Sequence, residues 1–248
     1  LMNNDRGLAL TWMNALIEGW LATARVGKPV EVNALWHHAL CLLSRWARRR
    51  GLVEEERKYA RMRDLCRRSF RNRFANRSIN GLFDVVDVPD RDVPDAAIRP
   101  NQLFAVSLPS DLLGRAEAEG VLRIVENRLL TPVGLRTLSL EDRAFRPRCD
   151  GGEMEREAAR HQGSVHPWLL GPYADAVFRV RGRTSNAYAR VEASLKYLLE
   201  EHLSEGCVGH VSELFHGANP HAPRGAPAHA PALGELIRVV SEIRGRLW

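Results

Sequence analysis

The chain has 248 residues and a formal net charge of +6, with 45% hydrophobic and 27% charged residues, a balance that fits one globular domain and excludes wholesale disorder. No uninterrupted apolar run reaches the ~18–20 residues of a membrane span. The cysteines (Cys41, Cys66, Cys149 and Cys207) lie far apart with no Cys-x-x-Cys pair, which excludes a disulfide scaffold and a conventional zinc cage and fits a reducing cytoplasm.

Taken in chain order, helices dominate the expected elements. The start, Leu1-Met2-Asn3-Asn4-Asp5, has neither the basic region nor the apolar core of a signal peptide, and a Leu before the Met is not how a natural chain begins. Thr11 to Leu21 and Glu31 to Arg50 carry apolar residues at three- and four-residue steps, interrupted by Gly27-Lys28-Pro29 and stopped by Gly51. Val53 to Phe74 continues as a basic amphipathic helix. Leu82 to Val88 is the best short strand. Ser110-Asp111 reads as an N-cap for a helix over Leu112 to Leu130, ended by Thr131-Pro132. Pro167 to Val180, Ser185 to Leu203 and Leu233 to Leu247 supply three further helices. Long polar connections separate them: Asp84 to Pro100, Thr131 to Gly163 and Gly206 to Pro231. Loops of that length in a compact domain usually build a site. With no internal repeat and no low-complexity linker, residues 1–248 read as a single domain.

The basic excess is local. Between Arg45 and Arg77 twelve Arg and one Lys face four acids, a net of +9, so the remainder of the chain sums to −3. A solvated helix face accounts for this, with phosphate or nucleic-acid binding as the lesser reading; the charge alone does not decide the function. The nine histidines show no convincing ligand pattern with a carboxylate. The pair His37-His38 and the His210 to His229 group come nearest, so no metal and no cofactor is expected.

The most informative feature is a set of ordered segments in or beside the loops: Leu10-Thr11-Trp12-Met13-Asn14-Ala15, the run from Gly27 to Trp36, Arg99-Pro100-Asn101-Gln102, the run from Leu129 to Arg136, His161-Gln162-Gly163-Ser164-Val165, Pro167-Trp168-Leu169-Leu170-Gly171-Pro172, Ser212-Glu213-Leu214-Phe215, and Pro220-His221-Ala222-Pro223-Arg224-Gly225. In this order, from about Leu10 to Val239, they closely resemble the C-terminal glucosidase domain of glycogen debranching enzymes. The resemblance implies an all-α fold, an (α/α)6 toroid of helical hairpins. It also implies hydrolysis of α-1,6-glucosyl stubs at glycogen branch points, with inversion. Glycogen or a branched α-glucan is then the partner, and no membrane is involved. A twelve-helix toroid needs more chain than this, and the acid motif falls here at residue 11, so a fragment lacking the early hairpins is expected. Its uncovered apolar faces would favour association.

An inverting glycosidase uses one carboxylic acid to protonate the leaving oxygen and one carboxylate to activate water, roughly 6.5–9.5 Å apart. The resemblance places Glu213 as the general base. At the acid position it expects Thr-Trp-Met-Asp, and this chain has Asn14. An amide has no proton to give at relevant pH, and general-acid help is worth ~10²–10⁴-fold. An impaired homologue, an introduced substitution and a substitute acid all stay open. Further departures are His37 and Arg160 where the family has Tyr, His166 for Trp, His216 for Asp and His229 for Gln. Trp12, Trp36 and Trp168 are candidate sugar platforms or core residues. Arg25, Lys28 and Glu31 are candidates for hydroxyl binding or a surface ion cluster. Asn101, Gln102, His161 and Gln162 either bind substrate or tie loops together. The rival readings are a non-catalytic glucan-binding remnant and a glycosidase acting on another α-linked sugar.

Overall fold

The computed structural model describes residues 1–3, 5 and 7–245. Helices carry most of the regular structure: α1 (Val30–Arg49), α2 (Val53–Phe74), α3 (Phe104–Ser107), α4 (Arg115–Arg128), α5 (Glu153–Arg160), α6 (Leu170–Arg181), α7 (Ser185–Glu200) and α8 (Ala230–Arg244). Between them run short strands, nearly all of two residues: β1 (Leu16–Ile17), β2 (Trp20–Leu21), β3 (Lys28–Pro29), β4 (Ala75–Asn76), β5 (Gly81–Leu82), β6 (Val85–Val86), β7 (Leu130–Thr131), β8 (Gly134–Arg136), β9 (Val165–His166), β10 (Leu214–Phe215) and β11 (Pro223–Arg224). The chain is therefore mainly helical without being purely so.

Helices α1 and α2 form a hairpin turned at Gly51, whose φ of +71° suits a residue without Cβ. Glu31 opens α1 and Arg48 and Arg49 close it. Glu54, Glu55 and Glu56 open α2, with Arg71 and Arg73 in its last turn. Each arrangement complements the helix dipole. α1 buries Val30, Ala34, His37, Leu40, Ser44 and Ala47 at helical spacing, whereas α2 buries only Phe70 and Phe74, whose rings stack 4.4 Å apart. The arginines thus coat an outer helix. The core centres on α6, where Tyr173, Ala174, Ala176, Val177 and Phe178 are buried between α3, α4, α7 and α8. α7 begins at Thr184, whose hydroxyl accepts the Ala187 amide at 3.2 Å.

Several expectations are corrected. Thr11 to Leu21 is not a helix: β1 and β2 form a hairpin around Glu18 (φ +47°) and Gly19 (φ +81°), a left-handed pair that favours a tight turn over helix continuation. Ser110-Asp111 caps nothing; α4 starts at Arg115, where the Gly114 amide donates to the Glu117 carboxylate at 2.7 Å. The expected helix from Pro167 opens as a 3-10 turn before α6, and that from Ser185 ends as α7 at Glu200 before a 3-10 turn over His202–Ser204. α5 and α3 lie inside segments read as loop or left unassigned. The last helix starts at Ala230, and its expected end at Leu247 lies outside the described residues.

What positions the site is a five-stranded antiparallel sheet, ordered β11-β10-β9-β8-β7, built from the long connections. Leu135 faces His166, Phe215 faces Val165, and Leu214 faces Arg224. Gly134 (φ +144°) allows the closest approach, since a Cβ there would sit 2.7 Å from the His166 carbonyl oxygen. Among the described residues no helix is long and apolar enough to cross a membrane. Leu8, Leu10, Leu16 and Trp20 form exposed apolar surface along the N-terminal segment.

Candidate active site

Glu213 lies at the end of this sheet, immediately before β10, which runs between β11 and β9. The strand approaching it is braced at every residue: Val211 accepts the His229 amide at 2.9 Å, the Ser212 amide donates to His202 Nε2 at 3.1 Å, and the Glu213 amide donates to the Ala226 carbonyl at 2.8 Å. Its side chain stays 20% exposed. Oε2 accepts the Ala226 N–H at 3.0 Å, and Oε1 is gripped by the Arg160 guanidinium. Gly225 (φ +68°) makes room, because a Cβ there would lie 2.5 Å from Oε2. Partial burial raises the Glu213 carboxyl, but the Ala226 amide and Arg160 more than offset it and hold the group below the usual carboxylate range. Arg160 closes α5 and also bonds both oxygens of Glu157 at 3.0 Å.

Beside this carboxylate stands an aromatic wall. The Trp12 ring meets Trp168 edge-on at 5.2 Å, His161 at 5.3 Å and His166 at 5.7 Å. His161 and His166 stack 5.8 Å apart, and Phe104 adjoins Trp168. Trp12 and Trp168 are half-buried. Burial pushes His166 down to about 4, and the ring contacts the Arg160 carbonyl through Nε2 at 3.1 Å. His161 is likewise depressed by burial and by neighbouring cations, and neither of its ring nitrogens has a partner among the described residues. Both rings are neutral near pH 7.

Behind the wall lies a buried ion network. Arg25 donates to Asp84 through Nε at 2.7 Å and Nη2 at 3.0 Å, and its Nη2 reaches Glu31 at 2.6 Å. Asn101 joins the network to the wall, donating to Asp84 at 2.8 Å while accepting the Trp12 indole N–H at 2.7 Å. Arg99 donates to the carbonyls of His161 at 2.6 Å and Thr137 at 3.1 Å and to Gln162 Oε1 at 2.7 Å. Burial opposes the Arg25 charge, but Asp84 and Glu31 raise its pKa beyond the ordinary arginine value. The network fixes the wall from behind, and its members spend their hydrogen-bonding capacity on one another.

A model of the family described as amylo-alpha-1,6-glucosidase matches residues 1–238. The chain belongs to the amylo-alpha-1,6-glucosidase family. It is also similar to the glycogen debranching enzyme of Saccharomyces cerevisiae (strain ATCC 204508 / S288c), 28% identical over 127 residues. That match covers 47% of this chain and 8% of the yeast enzyme.

Of the positions that the sequence marks in this family member, the structure gathers Trp12, Asn101, His161 and Trp168 into one wall, with Glu213 reached from it through His166 and Arg160. Asn14 is exposed at the start of the β1–β2 hairpin, two residues beyond Trp12. Gln162 ties loops together, donating to the Ala22 carbonyl at 3.1 Å, and Gln102 links the Leu82 amide to the Arg99 carbonyl. Arg25 and Glu31 are core partners; Lys28 pairs with Asp87 at 2.5 Å near the surface. Trp36 sits half-buried on α1, apart from the rings around Trp12. His37 faces Cys41 within the hairpin, so it does not join the other departures. His216 accepts the Cys149 amide at 3.0 Å, and the charges of Glu213 and Arg160 bear on His229. Asp84, Arg99 and Phe104 were missed. Asp84 had one visible signal, a lone carboxylate inside the apolar run Leu82-Phe83-Asp84-Val85-Val86.

Proposed function

We propose that the chain acts on α-1,6-linked glucose of glycogen or a related branched α-glucan, by an inverting mechanism in which Glu213 is the general base. The observation that carries this reading is the braced Glu213 carboxylate, partly open to solvent and linked through Arg160 and His166 to the Trp12 wall in a chain of this family. Glu213 would take a proton from water as that water's oxygen bonds to the anomeric carbon. As that bond forms the C1–O6 bond breaks, the departing O6 takes its proton from solvent water, and glucose is released with inverted configuration. Trp12 and Trp168 would offer apolar faces to the sugar ring. Asn14 occupies the acid position and gives the departing oxygen no proton, so cleavage of natural branches is impaired.

The α1–α2 and α6–α7 hairpins support an (α/α)6 toroid architecture, with residues 1–248 as one domain of it. The free thiols of Cys41, Cys66, Cys149 and Cys207 accord with a cytoplasmic setting. The exposed apolar N-terminal segment is where association would bury surface.

α-Glucosyl fluoride tests the reading, because fluoride departs with little protonation. Release abolished in Glu213→Gln, with Asn14→Asp restoring hydrolysis of a branched dextrin, is the expected result. No release from any of the three chains refutes it. The exposed amide at Asn14 favours one second reading, a glucan-binding domain without turnover, which would show saccharide binding and no fluoride release.

A further inference from the structure

The arginine-rich hairpin plays no part in the glucosidase site. One of its faces, together with the segment before α4 and the last turn of α6, bounds an open cavity of about 430 Å³ lined by Arg45 and Arg48 of α1, Arg63 of α2, Arg179 of α6, Ser44 and Ser110. That volume falls in the small-ligand range. Four guanidinium groups from three helices converge on it against one lining carboxylate, Asp111. Asp111 is already held by Arg67. Arg48 leans on Glu56 at 2.7 Å and Arg63 on Asp64 at 2.9 Å, acids that do not line the cavity. Arg179 touches only the Ser110 carbonyl, at 3.1 Å, and Arg45 has no ion pair or side-chain hydrogen bond among the described residues.

Two kinds of ligand are disfavoured by this lining. His37, Cys41 and Asp111 present ligand atoms within 4.8 Å of one another, but the neighbouring Arg63 and Arg67 would repel a dication and Arg67 would have to be displaced from Asp111. No aromatic ring lines the cavity, so it lacks the stacking platforms on which single-stranded nucleic acids rest. Asp111 also interrupts the line from this cavity to Arg67, Arg68 and Arg71, which bound a second cavity of about 540 Å³, and so breaks any continuous phosphate track. What remains complementary is a compact, multiply charged oxyanion met by guanidinium forks and hydroxyl donors.

We propose that the cavity between α1, α2 and the end of α6 binds the phosphate group of a small phosphate ester or free phosphate, at a site separate from Glu213. The site is independent of the glucosidase reading.

The test is calorimetric titration of the full chain, at fixed ionic strength, with inorganic phosphate, glucose 6-phosphate and glucose. Saturable binding of either phosphate, not displaced by excess glucose, is expected. Equal affinities identify free phosphate as the source, and tighter glucose 6-phosphate identifies an ester. Replacing Arg45 and Arg179 together by Ala should weaken binding by about tenfold or more, whereas Arg45→Lys keeps most of it. Arg57→Ala, on an exposed pair with Glu54, and Glu213→Gln should leave it unchanged. Absence of saturation, or equal weakening by Arg57→Ala, overturns the proposal. So does tight, salt-sensitive binding of a DNA duplex by a chain that ignores both phosphates.

Discussion

Arg160 and Glu213, 53 residues apart in sequence, are joined by an ion pair beside the start of β10, and the Ala226 amide occupies the other oxygen of the same carboxylate. A carboxylate tied in this way keeps its negative charge to lower pH and, in the proposed role of general base, gives up some of its appetite for a proton. Replacing Arg160 by Ala should therefore move the acid limb of the fluoride-release profile to higher pH. Arg160→Lys should hold that limb lower than Ala does. A profile that stays in place in both variants would detach Arg160 from the base.

Asp84 stands between two buried arginines while Lys28–Asp87 is partly exposed, so equal-looking ion pairs should differ in cost. Asp84→Ala leaves Arg25 and Arg99 without their shared counterion and should destabilise the fold by about 3–5 kcal/mol. Lys28→Ala should cost about 0–1 kcal/mol. In a chain of this size the first corresponds to a melting temperature lower by roughly 10 °C. Thermal melts of the two variants, run side by side, give the comparison.

Stability should also fall with acid before the carboxylates titrate. His166 is neutral in the fold with a pKa of about 4, against 6.5 in the unfolded chain. Between those values the unfolded state binds the additional proton, so acidification favours unfolding. The loss approaches about 3 kcal/mol for this one ring between pH 6.5 and 4, and His161 acts in the same direction. Urea titrations across that window should show the slope, reduced in His166→Gln.

Gly225 offers a geometric test of how tightly the carboxylate is held. A methyl group there meets Glu213 Oε2 at 2.5 Å on a backbone already at φ +68°. Gly225→Ala should cost roughly 1–2 kcal/mol from the left-handed backbone alone and should also displace the carboxylate. Fluoride release should fall in this variant even at temperatures where circular dichroism finds it fully folded.

How much of this was legible beforehand follows from range. Helix α2 was read to its observed ends because Gly51 and the Glu-to-Arg gradient are local signals. The β1–β2 hairpin was hidden because Trp12, Ala15, Leu16 and Trp20 mimic helical spacing, while the turn rests on two left-handed residues that a periodicity count does not see. Two-residue strands have no period at all, so the five-stranded sheet left no trace in the loops that form it. Glu213 and Trp12 are marked by ordered motifs, not by local pattern, and their proposed roles rest on the family resemblance. Asp84 escaped because the worth of a charge depends on partners far along the chain, 59 residues away in the case of Arg25.

The sheet has a consequence for the order in which the protein comes into being. Its strands come from residues 130–136, 165–166 and 214–224, and the contact from Gln162 to Ala22 spans 140 positions. The hairpin of α1 and α2 can form from neighbours, but the sheet that holds Glu213 must wait until these distant stretches have met, and contacts of such long range form slowly. During refolding, helix content should thus recover ahead of fluoride release, the activity proposed above. A nascent chain released before β11 would have the helices from α1 to α7 and would lack both the strand that braces Glu213 and α8.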